Sequence, residues 1–245
     1  MNYLTTLKKG LIPRVLRHYP DPSIHENCSE FEVNNWVISE FIVKELIPVV
    51  DTRPFPINEQ FLLTAAVCRF KPDYIFEWGT NIGKSARIFY EIANNFNIPL
   101  QVHSVDLPDN VEHGEHPHET RGALVKGLKN VFLYQGDGLD TCLEIYQKNQ
   151  NIRAPLFFLD GDHSYTSIKR ELSGIICQVK NPIFIIHDSF YQSGEANYNT
   201  GPHLAIENFL AYEGHGFEKL STQTGLPGLT VLFMRKTNPY RTTEL

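Results

Sequence analysis

The side chains best suited to chemistry stand in two short runs, Asp160-Gly-Asp162-His163-Ser-Tyr165 and His187-Asp188-Ser189. Each follows a short apolar stretch, Leu156 to Leu159 in one case and Ile183 to Ile186 in the other. An apolar stretch that ends in acids and an imidazole reads as a buried strand delivering polar groups to one mouth. Carboxylates there can hold a hard divalent cation. An imidazole titrates near neutrality and can take a proton from a reacting group. A cap or a turn explains either run alone, and His187 also suits a core position beside Ile186. The two runs on neighbouring strands of one sheet read together as a site.

A third run, Ile75 to Arg87, reads as strand, glycine turn and helix. Gly79 and Gly83 permit a tight turn and a close backbone approach to a ligand. The turn exposes free N–H groups and the positive end of a helix dipole. Two familiar phosphate loops are excluded by spacing. Only Thr80, Asn81 and Ile82 separate Gly79 from Gly83-Lys84-Ser85, one residue short of a P-loop. Position 81 is Asn, so the dinucleotide pattern G-x-G-x-x-G is absent as well. Glu77 would repel a phosphate but suits a cationic ligand. Ligand contacts are therefore expected from Glu77, Gly79, Thr80, Asn81 and Ser85. Asp106, closing the strand Val102 to Asp106, can accept from a ribose hydroxyl pair or cap a helix.

These residues need a sheet to position them. Strands are expected at 73–77, 101–106, 131–135, 155–160 and 182–187, with helices at 84–95, 120–128, 139–149 and 166–179. That alternation implies an α/β fold with a parallel sheet covered by helices on both faces. A helix at 202–212 precedes strands at 217–221 and 229–235, joined by the Gly/Pro loop Thr222 to Gly228 as a hairpin. Ligands of such sheets bind beyond the carboxyl ends of the strands. Upstream, a short amphipathic piece is expected near Leu4 to Leu16 and a helix over Asn35 to Val50. Asn58 is a plausible N-cap of a further helix ending before Pro72. This divides the chain into an N-terminal helical extension, residues 1–57, and a catalytic domain, residues 58–245. Trp36, Phe41 and Phe61 read as core or subunit contacts.

Bulk properties narrow the partners. The 245 residues are 42% hydrophobic and 20% charged, with a net charge of −6 and a pI near 5.9. That is globular composition without a basic block, which argues against nucleic acid. Cys28, Cys68, Cys142 and Cys177 are scattered, as in a reduced cytoplasmic protein. No apolar run is long enough for a membrane span, and no leader-like core follows Lys8 and Lys9.

The pattern E-x-G-x-x-x-G from Glu77 to Gly83 resembles the first motif of class I S-adenosylmethionine-dependent methyltransferases. Asp160-Gly-Asp-His-Ser-Tyr165 and His187-Asp188 resemble the group containing the catechol and macrocin O-methyltransferases and the cephalosporin hydroxylase-like proteins. The resemblance spans about residues 58–235. It implies a Rossmann-like, seven-stranded, mostly parallel sheet with a C-terminal antiparallel hairpin. It implies S-adenosylmethionine as cofactor, with Asp137 accepting from the adenine amino group beside Gly138, although Gly136-Asp137-Gly138 is also simply a turn. It implies Asp160 and Asp188 as ligands of Mg²⁺ or Mn²⁺. The catechol enzymes carry Asn beside the second acid. Here that residue is Ser189, so the third ligand is Ser189, Asp162 or His163, or there is no metal and His163 or His187 is the base. The implied reaction is methylation of a small-molecule hydroxyl, on a sugar or natural product. Rivals are a non-catalytic cofactor-binding protein and a relative with non-methyl chemistry. Homo-oligomers pairing through the N-terminal helices are expected by the same analogy.

Two further segments are candidate substrate loops. Leu107 to Thr120 carries His113, His116 and His118, as a metal-binding or merely solvated loop. Phe190 to His203 carries Tyr191, Tyr198 and Asn199, as a lid or a surface excursion.

Overall fold

The computed structural model describes residues 18–23, 31–111, 118–149, 151–191 and 199–234. Seven strands form one sheet: β1 (Tyr74–Trp78), β2 (Gln101–Asp106), β3 (Val131–Gln135), β4 (Leu156–Leu159), β5 (Ile183–His187), β6 (Phe217–Ser221) and β7 (Leu229–Met234). Their order is β3-β2-β1-β4-β5-β7-β6. Strands β1 to β5 run parallel, while β7 is antiparallel to both β5 and β6. The order reverses between β1 and β4, and the crevice at such a switch point is where ligands of open α/β sheets bind.

Among the described residues, six helices surround the sheet. Helix α1 runs Asn35–Phe41, continues through a π-type stretch, Ile42–Leu46, and ends with Ile47–Val50. The others are α2 (Ile57–Phe70), α3 (Lys84–Asn95), α4 (Gly138–Lys148), α5 (Tyr165–Ile176) and α6 (Gly201–Tyr212). Side chains of a strand alternate between faces, and β4 shows the consequence. Leu156 and Phe158 join one buried cluster with α1, α2 and α3, while Phe157 and Leu159 join the other with α4, α5 and α6. Ile38, Phe41, Ile42 and Leu46 belong to the first cluster together with Ile75, Val102 and Ile185. Apolar packing is thus continuous across residue 57. Trp36, in contrast, is 87% exposed.

The strands fall within one residue of the sequence expectation. The helix expected at 120–128 does not form. Only a 3₁₀ turn, His118–Thr120, is present, followed by turns. Gly122 and Gly127 adopt positive φ, and the N–H groups of Gly122 and Leu124 donate to Asn81 and Ile82 rather than along a helix. Glycine chemistry and a partner loop outcompete the apolar periodicity there. Asn58 is not the N-cap of α2. Pro56 occupies that position, and the Asn58 amide donates to Thr224 Oγ1 at 2.9 Å. The amphipathic piece at 4–16, the loop residues His113 and His116, Tyr198 and Cys28 lie outside the described residues.

Candidate active site

The carboxyl ends of β1, β2, β4 and β5 open into a cavity of about 2140 Å³. Its lining includes Gly79, Thr80, Asn81, Ser85, Asp106, Asp137, Gly138, Asp160, His163, His187 and Asp188, so the topology gathers most residues named from the sequence. Glu77 and Ser189 are not among its lining residues.

The glycine turn is built tightly. Gly79 has φ +87°, and a Cβ there would lie 2.3 Å from the carbonyl oxygen of Asp160. Only glycine lets the β1 turn reach the β4 turn. Across the cavity, a Cβ on Gly138 would lie 2.1 Å from Trp78 Cδ1, so the indole rests directly on the start of α4. Helix α3 begins without a side-chain cap, leaving N–H groups at the turn for a ligand. Thr80 and Ser104 share a hydroxyl hydrogen bond at 2.7 Å.

Glu77 is fully buried, and neither of its carboxylate oxygens has a hydrogen-bond partner among the described residues. Burial pushes its pKa up to about 8, and the charges of Asp160 and Asp106 add to the rise. The Ser104 and Ser85 hydroxyls oppose it without closing a hydrogen bond of good geometry. An orphaned buried acid beside a glycine turn fits a cofactor that carries an ammonium group.

Asp106 accepts from the N–H of Asn81 at 3.0 Å and of Leu107 at 2.8 Å, and Arg121 lies 3.3 Å away. Asp137 caps α4 through the N–H of Asp140 and receives both Arg170 amine groups, at 2.8 and 3.0 Å. The Arg170 hydrogen bonds hold its pKa below the usual range. Both acids are therefore held in place before any ligand arrives.

The acids and imidazoles of β4 and β5 form one connected cluster. His187 Nδ1 lies 2.9 Å from Asp160 Oδ1 and 3.7 Å from Asp188 Oδ2. Its Nε2 lies 3.1 Å from Glu59 Oε2. His163 places Nδ1 3.1 Å from Asp188 and Nε2 3.5 Å from Asp160. Asn199 donates to Asp188 at 3.2 Å and lies 2.9 Å from His163 Nδ1. Burial disfavours the imidazolium of His187, but Asp160, Glu59 and Asp188 outweigh it and raise its pKa to about 10. Burial likewise opposes the charge on Asp160, and the two histidines override it and hold the acid below its usual range. His163 is raised by Asp160 and Asp188 against the effect of its own burial.

One ligand atom each from Asp160, His187 and Asp188 lie within 4.8 Å of one another. Two carboxylates and an imidazole, with the imidazole's other nitrogen held by an acid, are a donor set that fits a divalent metal. Ser189 is not brought to this set; its hydroxyl pairs with Thr230 Oγ1 at 2.8 Å. Asp162 is turned to the start of α5, where it accepts from Ser164 N at 2.9 Å and Ser167 Oγ at 2.5 Å. Glu59 was not legible from the sequence, because α2 approaches β5 only in the folded chain. Its signal was an acid in the first turn of a largely buried helix.

The strand order and the switch-point cavity define a Rossmann-like fold with a candidate site at its switch point. The chain belongs to the rhamnosyl O-methyltransferase/CmcI family, whose model matches residues 57–226. It is an S-adenosylmethionine-dependent methyltransferase, of the O-methyl class that this family represents. Among curated proteins, none matches the sequence. Solved structures share the fold. The O-methyltransferase from Bacillus cereus, in complex with SAH, is 13% identical with a TM-score of 0.51, covering 80% of this chain and 90% of that one. TomG of Streptomyces achromogenes, an O-methyltransferase of tomaymycin synthesis solved with SAM, is 13% identical with a TM-score of 0.51, covering 81% and 88%. The SAH-bound methyltransferase PaMTH1 of Podospora anserina is 18% identical with a TM-score of 0.51, covering 73% and 78%.

Proposed function

We propose that this protein methylates a hydroxyl of a small molecule, such as a sugar or natural product, at the Asp160–His187–Asp188 cluster. One observation carries the proposal. Asp160 belongs to both halves of the site: its backbone carbonyl lies against Gly79 of the cofactor turn, and its carboxylate meets His187 and His163. Donor and acceptor subsites are therefore adjacent. Ile57, Leu204 and Leu226 line the same cavity while remaining about half exposed, a rim suited to the acceptor.

Bound S-adenosylmethionine supplies a methyl carbon activated by its sulfonium. Glu77 and the turn Gly79 to Asn81 would hold its amino-acid end, with Ser85 and the α3 N-terminus assisting, and Asp106 would take the ribose and Asp137 the adenine edge beside Gly138. Asp160, Asp188 and His187 would hold a divalent cation, which lowers the pKa of a bound hydroxyl. Without a cation, His163 or His187 would be the base that takes the hydroxyl proton. The protein's main contribution is positioning, which can amount to several kcal/mol.

Calorimetry with S-adenosylhomocysteine, with and without Mg²⁺ or Mn²⁺, tests this reading. Binding of the cofactor product is expected, with metal dependence that vanishes in Asp160→Ala and Asp188→Ala. Absence of S-adenosylhomocysteine binding overturns it. Subunit pairing through α1 belongs to the same proposal, since Trp36 and Val43 are exposed apolar side chains of that helix; a monomeric sedimentation profile would refute that part. Among the described residues no helix is long and apolar enough to cross a membrane. The proposal includes a cytoplasmic setting, and among the described residues Cys68, Cys142 and Cys177 are free thiols.

A further inference from the structure

Glu59 lies in the first turn of α2, over one hundred residues before the strand it serves, and is fully buried. Both of its oxygens are used. Oε2 faces His187 Nε2 at 3.1 Å, and Oε1 accepts the backbone N–H of Gly228, in the β6–β7 loop, at 2.7 Å. The opposite nitrogen of the same ring, Nδ1, is directed at Asp160 and Asp188. Phe55 packs against the imidazole with ring centroids 4.7 Å apart. The ring is therefore fixed at both nitrogens and on one face.

We infer that Glu59 is a positioning residue, which fixes the His187 ring so that Nδ1, and not Nε2, is presented to the acid pair. In the ligand-free protein both nitrogens donate to acids; a cation at the acid pair would displace the Nδ1 proton, and Glu59 keeps the remaining proton on Nε2 so that Nδ1 is the free ligand atom. A carboxylate behind a histidine is the arrangement that orients metal-binding rings and makes them stronger donors. Nothing else described contacts His187 Nε2, so the choice rests on Glu59. The link to Gly228 adds a second consequence: the hairpin loop and the β5 end are held by one acid, which keeps Leu226 and Pro227 at the cavity rim. Of the two imidazoles that Asp160 and Asp188 share, His187 and His163, only His187 is paired with Glu59.

The inference rests on the metal reading above, and the test separates the two. Mn²⁺ binding is titrated by electron paramagnetic resonance in wild-type protein and in Glu59→Gln, which retains an acceptor for Gly228 and preserves shape. S-adenosylhomocysteine binding serves as the control for folding. A 10- to 100-fold weaker Mn²⁺ affinity is expected, on the order seen for lost outer-shell partners, with S-adenosylhomocysteine affinity retained. Unchanged Mn²⁺ affinity in Glu59→Gln overturns the role of Glu59. If the wild-type protein binds no Mn²⁺, the metal reading fails, and Glu59 is judged by nuclear magnetic resonance of the His187 ring. A protected Nε2–H proton is expected in the wild type and absent in Glu59→Ala. Its persistence in Glu59→Ala, or its absence from the wild type, overturns the inference.

Discussion

In the proposed cofactor site, Glu77 would couple binding to pH. Its carboxyl is held near a pKa of about 8 by burial and by the neighbouring acids, so it carries a proton at neutrality when no ligand is present. An ammonium placed beside it favours the ionised form, and binding must release that proton. S-adenosylhomocysteine affinity is therefore expected to rise as pH increases from 6 toward 8, by up to about tenfold per pH unit. Glu77→Gln should bind more weakly and flatten the profile. Calorimetry in buffers of different ionisation enthalpy measures the proton released; equal heats in all buffers would contradict this coupling. The same shift bears on stability. A raised carboxyl pKa stabilises the ligand-free protein below about pH 4.5, and that contribution is lost as pH rises through about 8. Thermal midpoints of Glu77→Gln should accordingly fall less between pH 5 and 8 than those of the wild type.

At the scale of elements, the site depends on two turns touching. The β1 turn meets the β4 turn because residue 79 lacks a side chain and accepts φ +87°. Gly79→Ala must move the Asp160 backbone as well as strain its own, at a cost of about 1–3 kcal/mol for the backbone alone. Loss of both S-adenosylhomocysteine binding and several degrees of thermal midpoint is expected, by calorimetry and circular dichroism. A fully bound, equally stable Gly79→Ala variant would show that the contact is dispensable. Strand β3 makes a complementary point. Its apolar sequence reads like the central strands, yet Phe132 and Leu133 are each about two-fifths exposed because β3 lies at the sheet edge. Sequence pattern gives a strand; only pairing order gives its place.

At the scale of the molecule, α1 is part of the same core as the sheet. Phe41 is fully buried and packs edge-on against Phe96, with centroids 5.0 Å apart. Phe41→Ala is expected to cost about 3–5 kcal/mol and to lower a single unfolding transition of the whole protein. A separate early transition, with the sheet melting unchanged, would instead mark residues 1–57 as an independent unit. Fold and chemistry divide between sequence and structure in the same way. The order of strands and helices, the Glu77 to Gly83 turn and the acids closing β4 and β5 follow from local rules, because periodicity, glycine and polar strand ends act over a few residues. The region 120–128 escaped those rules, because the N–H groups of Gly122 and Leu124 bond to Asn81 and Ile82 in a distant loop. The engagement of Asp137 by Arg170, the turning of Ser189 to Thr230 and the reach of Glu59 to His187 are long-range pairings. The sequence alone therefore determined which acids and imidazoles stand at the strand ends. Tertiary structure decided which of them face one another, because hydrogen bonds between elements depend on packing that no local pattern encodes.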